Sequence, residues 1–194
     1  ATKNEFSMYS TGDEMEQIGS DDKCVDCHMG SLKKSIIAPQ IKRENMIERD
    51  IKSHFFAGAR NSDILKTAVG LDMEKTGENS GKIIVSNLIT HGIPSGFSGR
   101  SMVLELEFLN GEIKLDNQSI AFRNIYKNNF GQETLAYAAK TKEIDTRLKP
   151  KEQRELLIRI PDETNSIKAT LNYYILAPEL QEILKIDDEI YTKK

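Results

Sequence analysis

Cys24-Val25-Asp26-Cys27-His28 is the most informative stretch of this chain. Two cysteines separated by two residues and followed directly by histidine form the pattern to which a c-type haem is attached. The spacing suits that chemistry because the two thiols add to the two vinyl groups along one porphyrin edge. The histidine then lies beneath the iron as its proximal ligand. The pattern predicts one covalent haem c, held by Cys24, Cys27 and His28.

Two other kinds of site use the same cysteine spacing. A redox Cys-x-x-Cys pair belongs to a βαβ unit, whereas Asp21-Asp22-Lys23 precedes this motif with no apolar strand before it. Zinc is the second alternative, with Cys24, Cys27, His54 and His91 as four ligands, but zinc-finger histidines lie much closer together in sequence. Haem is therefore the preferred interpretation, with both alternatives open.

Length and composition are those of an ordinary globular protein. The chain has 194 residues, of which 38% are hydrophobic and 29% charged. No apolar run approaches the roughly 18 residues of a membrane helix, so no transmembrane segment is expected. The formal net charge of −3 argues against nucleic acid as a partner.

The cysteines also bear on the cellular compartment. Both belong to the haem motif, so no structural disulfide is expected. Thioether attachment of haem takes place outside the cytoplasmic membrane in bacteria, and the motif therefore implies a periplasmic protein. The start at Ala1-Thr2-Lys3, without a charged and then apolar leader, fits an exported chain whose signal peptide is not included.

Residues 1–76 are predicted to be a helical and loop region that binds the haem. Residues 1–20 are polar and predict an irregular lead-in. One helix is predicted over residues 44–55. A second is predicted after the N-cap residues Asn61-Ser62-Asp63, with Val69 and Leu71 among its apolar positions.

Residues 81–194 are predicted to be all-β with a short C-terminal helix. The glycine-rich stretch 76–81 is the predicted domain boundary, because the apolar period changes there from about 3.6 towards 2. Asn110-Gly111 predicts a type I′ hairpin turn after an alternating strand at 102–109. Further strands are predicted at 83–85, 156–160 and 169–176, and a helix from Pro178. The expected fold class is α+β, a small helical and loop haem c segment followed by an antiparallel β-sandwich.

Three stretches occur in a fixed order: Cys24-Val25-Asp26-Cys27-His28-Met29, Ser53-His54-Phe55-Phe56-Ala57-Gly58-Ala59 and Val85-Ser86-Asn87-Leu88-Ile89-Thr90-His91-Gly92-Ile93-Pro94-Ser95-Gly96. This order resembles the C-terminal module of periplasmic multihaem cytochromes c from bacterial respiration. There a Cys-x-x-Cys-His-Met run precedes Ser-His-x-Phe-x-Gly-Ala and an all-β domain that opens with Val-x-Asn-x-x-Gly-His-x-x-Pro-Thr-Gly. Residues 145–152 and 171–173 also look like that domain.

The resemblance covers most of the chain from about Lys23 onward, with two departures. Thr90 stands where the family has glycine, and this chain carries a single haem motif. The resemblance implies a monohaem relative, or a subunit that serves a partner with more haems, in which the β domain acts in docking or assembly.

The distal side of the iron has several candidate ligands. His54 and His91 both lie in family-like motifs, and His54 is the expected ligand. The predicted helix would place Ile47 and Ile51 on the same face as His54, so that apolar contact with the ring accompanies ligation. His91 would have to come from the β domain. The remaining alternatives are the methionines Met46 and Met73, although methionine at such positions more often fills a core.

The expected function is one-electron transfer through a bis-histidine haem, without catalytic side chains. A redox protein is the expected partner, with a multihaem cytochrome or a respiratory redox complex as the further expectation. The alternative is a haem-based sensor or gas-binding module with an open distal site. An enzyme of the peroxidase type, with His91 as distal acid or base, is a third hypothesis. The sequence leaves the oligomeric state open.

Covalent attachment gives the first testable prediction. After denaturation and extraction with acidified acetone, the unmodified chain should keep its haem, because both thioether bonds survive this treatment. The double variant Cys24→Ala, Cys27→Ala should release any haem that it binds into the organic phase. Extraction of all the haem from the unmodified chain would contradict the attachment.

Overall fold

Antiparallel strands make up most of the regular structure in the computed structural model of this chain. The structure describes residues 6, 10–37, 41, 46–186 and 192–193. The helices are α1 (Thr11–Gln17), α2 (Cys24–His28), α3 (Ser62–Ala68) and α4 (Pro178–Leu184). The strands are β1 (Lys33–Ser35), β2 (Arg49–Ile51), β3 (Val69–Lys75), β4 (Ser80–Asn87), β5 (Ser101–Asn110), β6 (Ile113–Lys127), β7 (Glu133–Thr134), β8 (Thr141–Asp145), β9 (Gln153–Arg159), β10 (Ser166–Tyr174) and β11 (Thr192–Lys193).

The strands of the described part form three sheets. The largest has the order β11-β10-β5-β6-β7, with β8 also paired to β6. A second sheet has the order β3-β4-β9, and β1 pairs with β2 alone. Antiparallel β structure with a few short helices is thus confirmed, while the sandwich arrangement stays a prediction.

The central strand β5 follows the alternation that the sequence predicts. Leu104, Leu106 and Phe108 are fully buried, while Glu105 between them is exposed. This period of two is that of a strand with one face on the core. Buried residues of β4, β5, β6 and β9 belong to one hydrophobic cluster, which therefore draws on the two larger sheets.

The predicted hairpin after β5 is confirmed, but its turn differs. Asn110 pairs with Ile113, so the loop residues are Gly111 and Glu112, and only Gly111 has a positive φ, at 62°. A type I′ turn needs positive φ at both central residues. The side chain of Asn165 favours this turn, because its Nδ2 donates to Asn110 Oδ1 at 3.0 Å and its Oδ1 accepts the Gly111 N–H at 3.1 Å.

Helix α3 is confirmed with its predicted cap but is shorter than predicted. The Asn61 side chain accepts hydrogen bonds from the amides of Asp63 and Ile64, as an N-cap does. The helix ends at Ala68, and Val69 and Leu71 belong instead to β3, where they pair with Asn87 and Val85. Pairing with a buried strand outweighs the weak helical preference of this stretch.

The glycine-rich stretch 76–81 lies at the loop of a hairpin. The amides of Thr76 and Gly77 donate to the Ser80 carbonyl, and β3 and β4 on either side are paired along their length. Strand pairing therefore crosses the predicted boundary. The division of the chain into two domains stays a prediction.

The predicted helix over residues 44–55 is wrong in its described part. Residues 42–45 lie outside the described residues, and from Arg49 to Ile51 the chain forms β2, followed by irregular backbone. The Lys52 ammonium donates to the Val25 carbonyl at 3.1 Å, and the Ala57 amide donates to the His28 carbonyl at 2.8 Å. These bonds to α2 favour an extended chain over a short helix, which is only marginally stable by itself.

Residues 11–17 correct the prediction of an irregular lead-in, because they form α1. The described helices α1, α3 and α4 have seven residues each. Within the described ranges, no helix is both long and apolar enough to cross a membrane.

The common core gives a stability prediction. Leu104→Ala should lower the free energy of unfolding by about 3 kcal/mol, because it removes a fully buried side chain and leaves a cavity. Leu157→Ala is the matched control, since Leu157 is 83% exposed and its loss should change stability by less than about 0.5 kcal/mol. Urea unfolding followed by circular dichroism measures both values, and equal losses would contradict this placement of the core.

Candidate haem site

The attachment motif predicted from the sequence forms helix α2. Cys24 and Cys27 are both free and exposed, and a spacing of three residues puts them on the same side of the helix. The Lys52 ammonium holds α2 from outside by its bonds to the Val25 carbonyl and the Asp26 carboxylate. This ion pair lowers the pKa of Asp26. Both thiols are thus accessible from solvent on a helix that is fixed at its middle.

His28 is held in one orientation at the end of α2. Its Nδ1 donates to the carbonyl of Ala57, and the Phe56 ring stacks on it with centroids 4.5 Å apart and planes 9° apart. A carbonyl oxygen only accepts, so Nδ1 carries the hydrogen. Nε2 is therefore the nitrogen with a free lone pair, as in metal-binding histidines that donate their other N–H to a carbonyl.

His91 is the histidine that the structure brings to His28. The two imidazole centroids are 6.3 Å apart and the ring planes differ by 15°. The Nδ1 of His91 donates to the Gly92 carbonyl at 3.0 Å, so His91 also has Nε2 as its free nitrogen. Burial lowers the pKa of His91, as does the nearby His28, against the opposing effects of the Gly92 carbonyl and the Glu14 carboxylate.

The loop that carries His91 is built around the buried side chain of Asn87. Its Nδ2 donates to the carbonyls of His91 at 2.8 Å and Lys149 at 2.7 Å, and its Oδ1 accepts the Ile89 amide at 3.1 Å. Further along, Ile93 and Leu148 exchange two backbone hydrogen bonds of 2.9 Å. Two of the family-like stretches, 85–96 and 145–152, therefore meet in space and fix the backbone at His91.

A half-buried carboxylate from α1 contacts the same loop. Glu14 accepts the Gly92 amide at 2.8 Å, the Ser10 hydroxyl at 2.6 Å and Arg147 Nη1 at 2.8 Å. Burial raises the pKa of Glu14, but the bonds from Ser10, Arg147 and Gly92 outweigh it and hold that pKa below its usual value. The carboxylate thus stays charged beside the His91 loop. The sequence analysis missed Glu14, because nothing in the polar stretch 1–20 marks it.

Arg147 continues this network into the sheet. It forms two bonds of 3.0 Å to the Asp145 carboxylate through Nε and Nη2. Burial raises the pKa of Asp145, but Arg147 and Lys142 outweigh it and lower that pKa to about 2. Burial also works against the charge on Arg147, yet Asp145 and Glu14 raise its pKa above the usual value. The three groups form the chain Glu14–Arg147–Asp145.

His54 is the distal ligand expected from the sequence, and that role stays a prediction. It is exposed on irregular backbone, and within the described ranges it makes no hydrogen bond, ion pair or ring contact. Met73 is 47% exposed on β3, and Met46 is half-buried. Of these candidates, His91 is the one with a described ring contact to His28.

The part of the chain before Ala68 exposes many of its apolar side chains. No described residue before Ala68 is buried, although this part of the chain is rich in large apolar side chains. Those that are exposed are Ile18, Val25, Leu32, Ile37, Ile41, Ile47, Phe55 and Phe56. These side chains are available to pack against a ligand or a partner.

The described residues hold no cluster of potential metal ligands. Nowhere in that part of the chain do three or more His, Cys, Asp or Glu side chains come together as they would around a metal ion. The four-ligand zinc set of Cys24, Cys27, His54 and His91 is therefore not assembled.

Comparison with known proteins yields one likeness of fold. No model of a known protein family matches the chain, and no curated protein matches it. A solved structure, the penta-haem cytochrome c552 from Thermochromatium tepidum, is similar with a TM-score of 0.73 and 23% sequence identity. The match covers 92% of this chain and 46% of that one, so the chain spans about half its length. The chain thus shares the fold of part of a multihaem cytochrome c, which confirms the resemblance at the level of the fold.

The ion pair of Asp145 with Arg147 gives a prediction for the pH dependence of stability. Because its pKa is lowered from 3.8 to about 2, Asp145 stabilises the folded chain above pH 4, and this contribution is lost as the pH falls towards 2. Asp145→Asn should lower the free energy of unfolding at pH 7 by about 1 kcal/mol, a value reduced for partial exposure. Urea unfolding should show this difference shrinking towards pH 2. Asp72→Asn, at an exposed position of β3, is the control, and an equal loss there would contradict the role of the pair.

Proposed function

We propose that this chain is a c-type cytochrome that transfers single electrons in the periplasm through one covalent haem. The observation that carries the proposal is the meeting of the attachment motif with a second imidazole, His28 and His91 having near-parallel rings. The fold shared with part of a penta-haem cytochrome supports it. No side chain is assigned a catalytic role.

The centroid distance of the two imidazoles supports the proposal of two ligands on one iron. A nitrogen ligand binds a metal at about 2 Å, so two imidazoles on opposite sides of one ion have ring centres about 6 Å apart. The centroids of His28 and His91 are 6.3 Å apart. Both rings also use Nδ1 for a backbone carbonyl, which leaves each Nε2 free.

The residues that would hold the haem follow from these contacts. Cys24 and Cys27 would form the thioether bonds, and His28 and His91 would be the axial ligands. When bound, the haem supplies an iron that alternates between the ferric and ferrous states. The exposed apolar side chains between Ile18 and Phe56 would pack on the macrocycle and exclude water from it.

His54 and the methionines remain the competing ligands in this proposal. We prefer His91 because its loop is fixed by Asn87 and its ring already lies near His28. For a haem-based sensor the distal position should stay open, and a histidine held beside His28 disfavours this alternative.

A redox protein is the proposed partner. One haem motif in a chain with the fold of part of a penta-haem cytochrome suggests exchange of electrons with a separate protein, such as a multihaem cytochrome in a respiratory complex. Electron exchange between copies of this chain in an oligomer is a second form that we include in the proposal.

The axial ligands give a prediction that can be measured by optical spectroscopy. The unmodified haem protein should be low-spin, and carbon monoxide should not bind its ferrous form at once. His91→Ala should become high-spin and bind carbon monoxide, because one axial position is opened.

His54→Ala is the matched control and should keep the low-spin spectrum. If His54→Ala becomes high-spin while His91→Ala stays low-spin, His54 is the ligand and the assignment of His91 is wrong. Immediate binding of carbon monoxide by the unmodified protein would instead favour the sensor.

A further inference from the structure

The carboxylate of Glu14 contacts Gly92, the residue that follows the proposed axial ligand His91. Its Oε2 accepts the Gly92 amide at 2.8 Å, and the carbonyl of the same Gly92 accepts Nδ1 of His91 at 3.0 Å. A Cβ at position 92 would lie 3.0 Å from Glu14 Oε2, so a larger residue there would push the carboxylate aside by a few tenths of an ångström. One glycine thus joins the carboxylate to the imidazole.

Glu14 is shielded from solvent, and Arg147 is the cation paired with it. The Glu14 side chain is only 12% exposed, so solvent screens the carboxylate less than it would a surface group. The charged groups of the network are Glu14, Arg147 and Asp145, with Lys142 at the outer end. Glu14 is the carboxylate of this network that contacts the His91 loop directly.

We propose that Glu14 is a positioning residue that holds the His91 loop and, by its negative charge, stabilises the ferric over the ferrous iron. The inference rests on the proposed function. Ferric haem carries one positive charge more than ferrous haem, so a fixed negative charge nearby favours the ferric state and lowers the midpoint potential. Glu14 also ties α1, ahead of the haem motif, to the loop that supplies His91.

The test compares two charge changes in one helix. Glu14→Gln removes the charge but keeps an oxygen that can accept the Gly92 amide, so the midpoint potential should rise while the spectrum stays low-spin. Glu16→Gln is the matched control, because Glu16 is an exposed residue of the same α1, and its potential should stay near that of the unmodified protein. An unchanged or lower potential in Glu14→Gln, or an equal rise in Glu16→Gln, would overturn the proposal.

A variant that should shift the midpoint potential in the opposite direction tests the proposal if Glu14→Gln does not fold. Arg147→Gln removes the positive charge paired with Glu14, so the midpoint potential should fall. A purely structural role of the ion pair would not give shifts of opposite sign in the two variants. A rise or no change in Arg147→Gln would contradict the electrostatic role.

A second readout separates this inference from the proposed function. The amide resonance of Gly92 in the full chain, with or without haem, should shift in Glu14→Gln and not in Glu16→Gln. If the unmodified chain takes up no haem, the proposed function fails, whereas this shift still reports the contact. If haem is bound and the Gly92 amide does not respond to Glu14→Gln, the positioning role fails alone.

Discussion

The side-chain amide of Asn87 is the interaction on which the candidate site depends. Asn87 is 2% exposed, and burial of an amide costs free energy unless its donors and acceptor are paired. Here Nδ2 serves the carbonyls of His91 and Lys149, while Oδ1 accepts the Ile89 amide. An apolar side chain would leave these backbone groups unpaired. The amide therefore determines where the backbone of His91 lies relative to the sheets.

The elements that sequence analysis predicted correctly are those whose signal is local. The alternation of Leu104, Leu106 and Phe108 with glutamates is enough for β5, and the Asn61 cap is enough for the start of α3. Where tertiary contacts determine the secondary structure, the local sequence pattern gives the wrong prediction. The helix expected over 44–55 gives way to bonds with α2, and Val69 continues into a strand because β4 is beside it.

The candidate site was predicted only in part for the same reason. Cys24, Cys27 and His28 lie within five consecutive residues, so their pattern can be recognised from the sequence. Glu14 lies 78 residues from Gly92 and 133 from Arg147, and no spacing rule reaches that far. The preference for His54 over His91 drew partly on a helix over 44–55 that the described part of this range does not form. With the loop geometry in hand, His91 is the better candidate.

The absence of buried residues among those described before Ala68 bears on how such a protein matures. The cluster shared by β4, β5, β6 and β9 includes no described residue before Ala68, and both thiols are exposed. That segment is linked to the sheets by the contact of Phe6 with Tyr126 and by the bonds of Glu14 to Gly92 and Arg147. An enzyme that attaches haem would then find the two cysteines accessible on a chain whose sheets are already folded. In a chain that takes up haem as proposed, packing of these apolar side chains on the porphyrin would follow the folding of the strands.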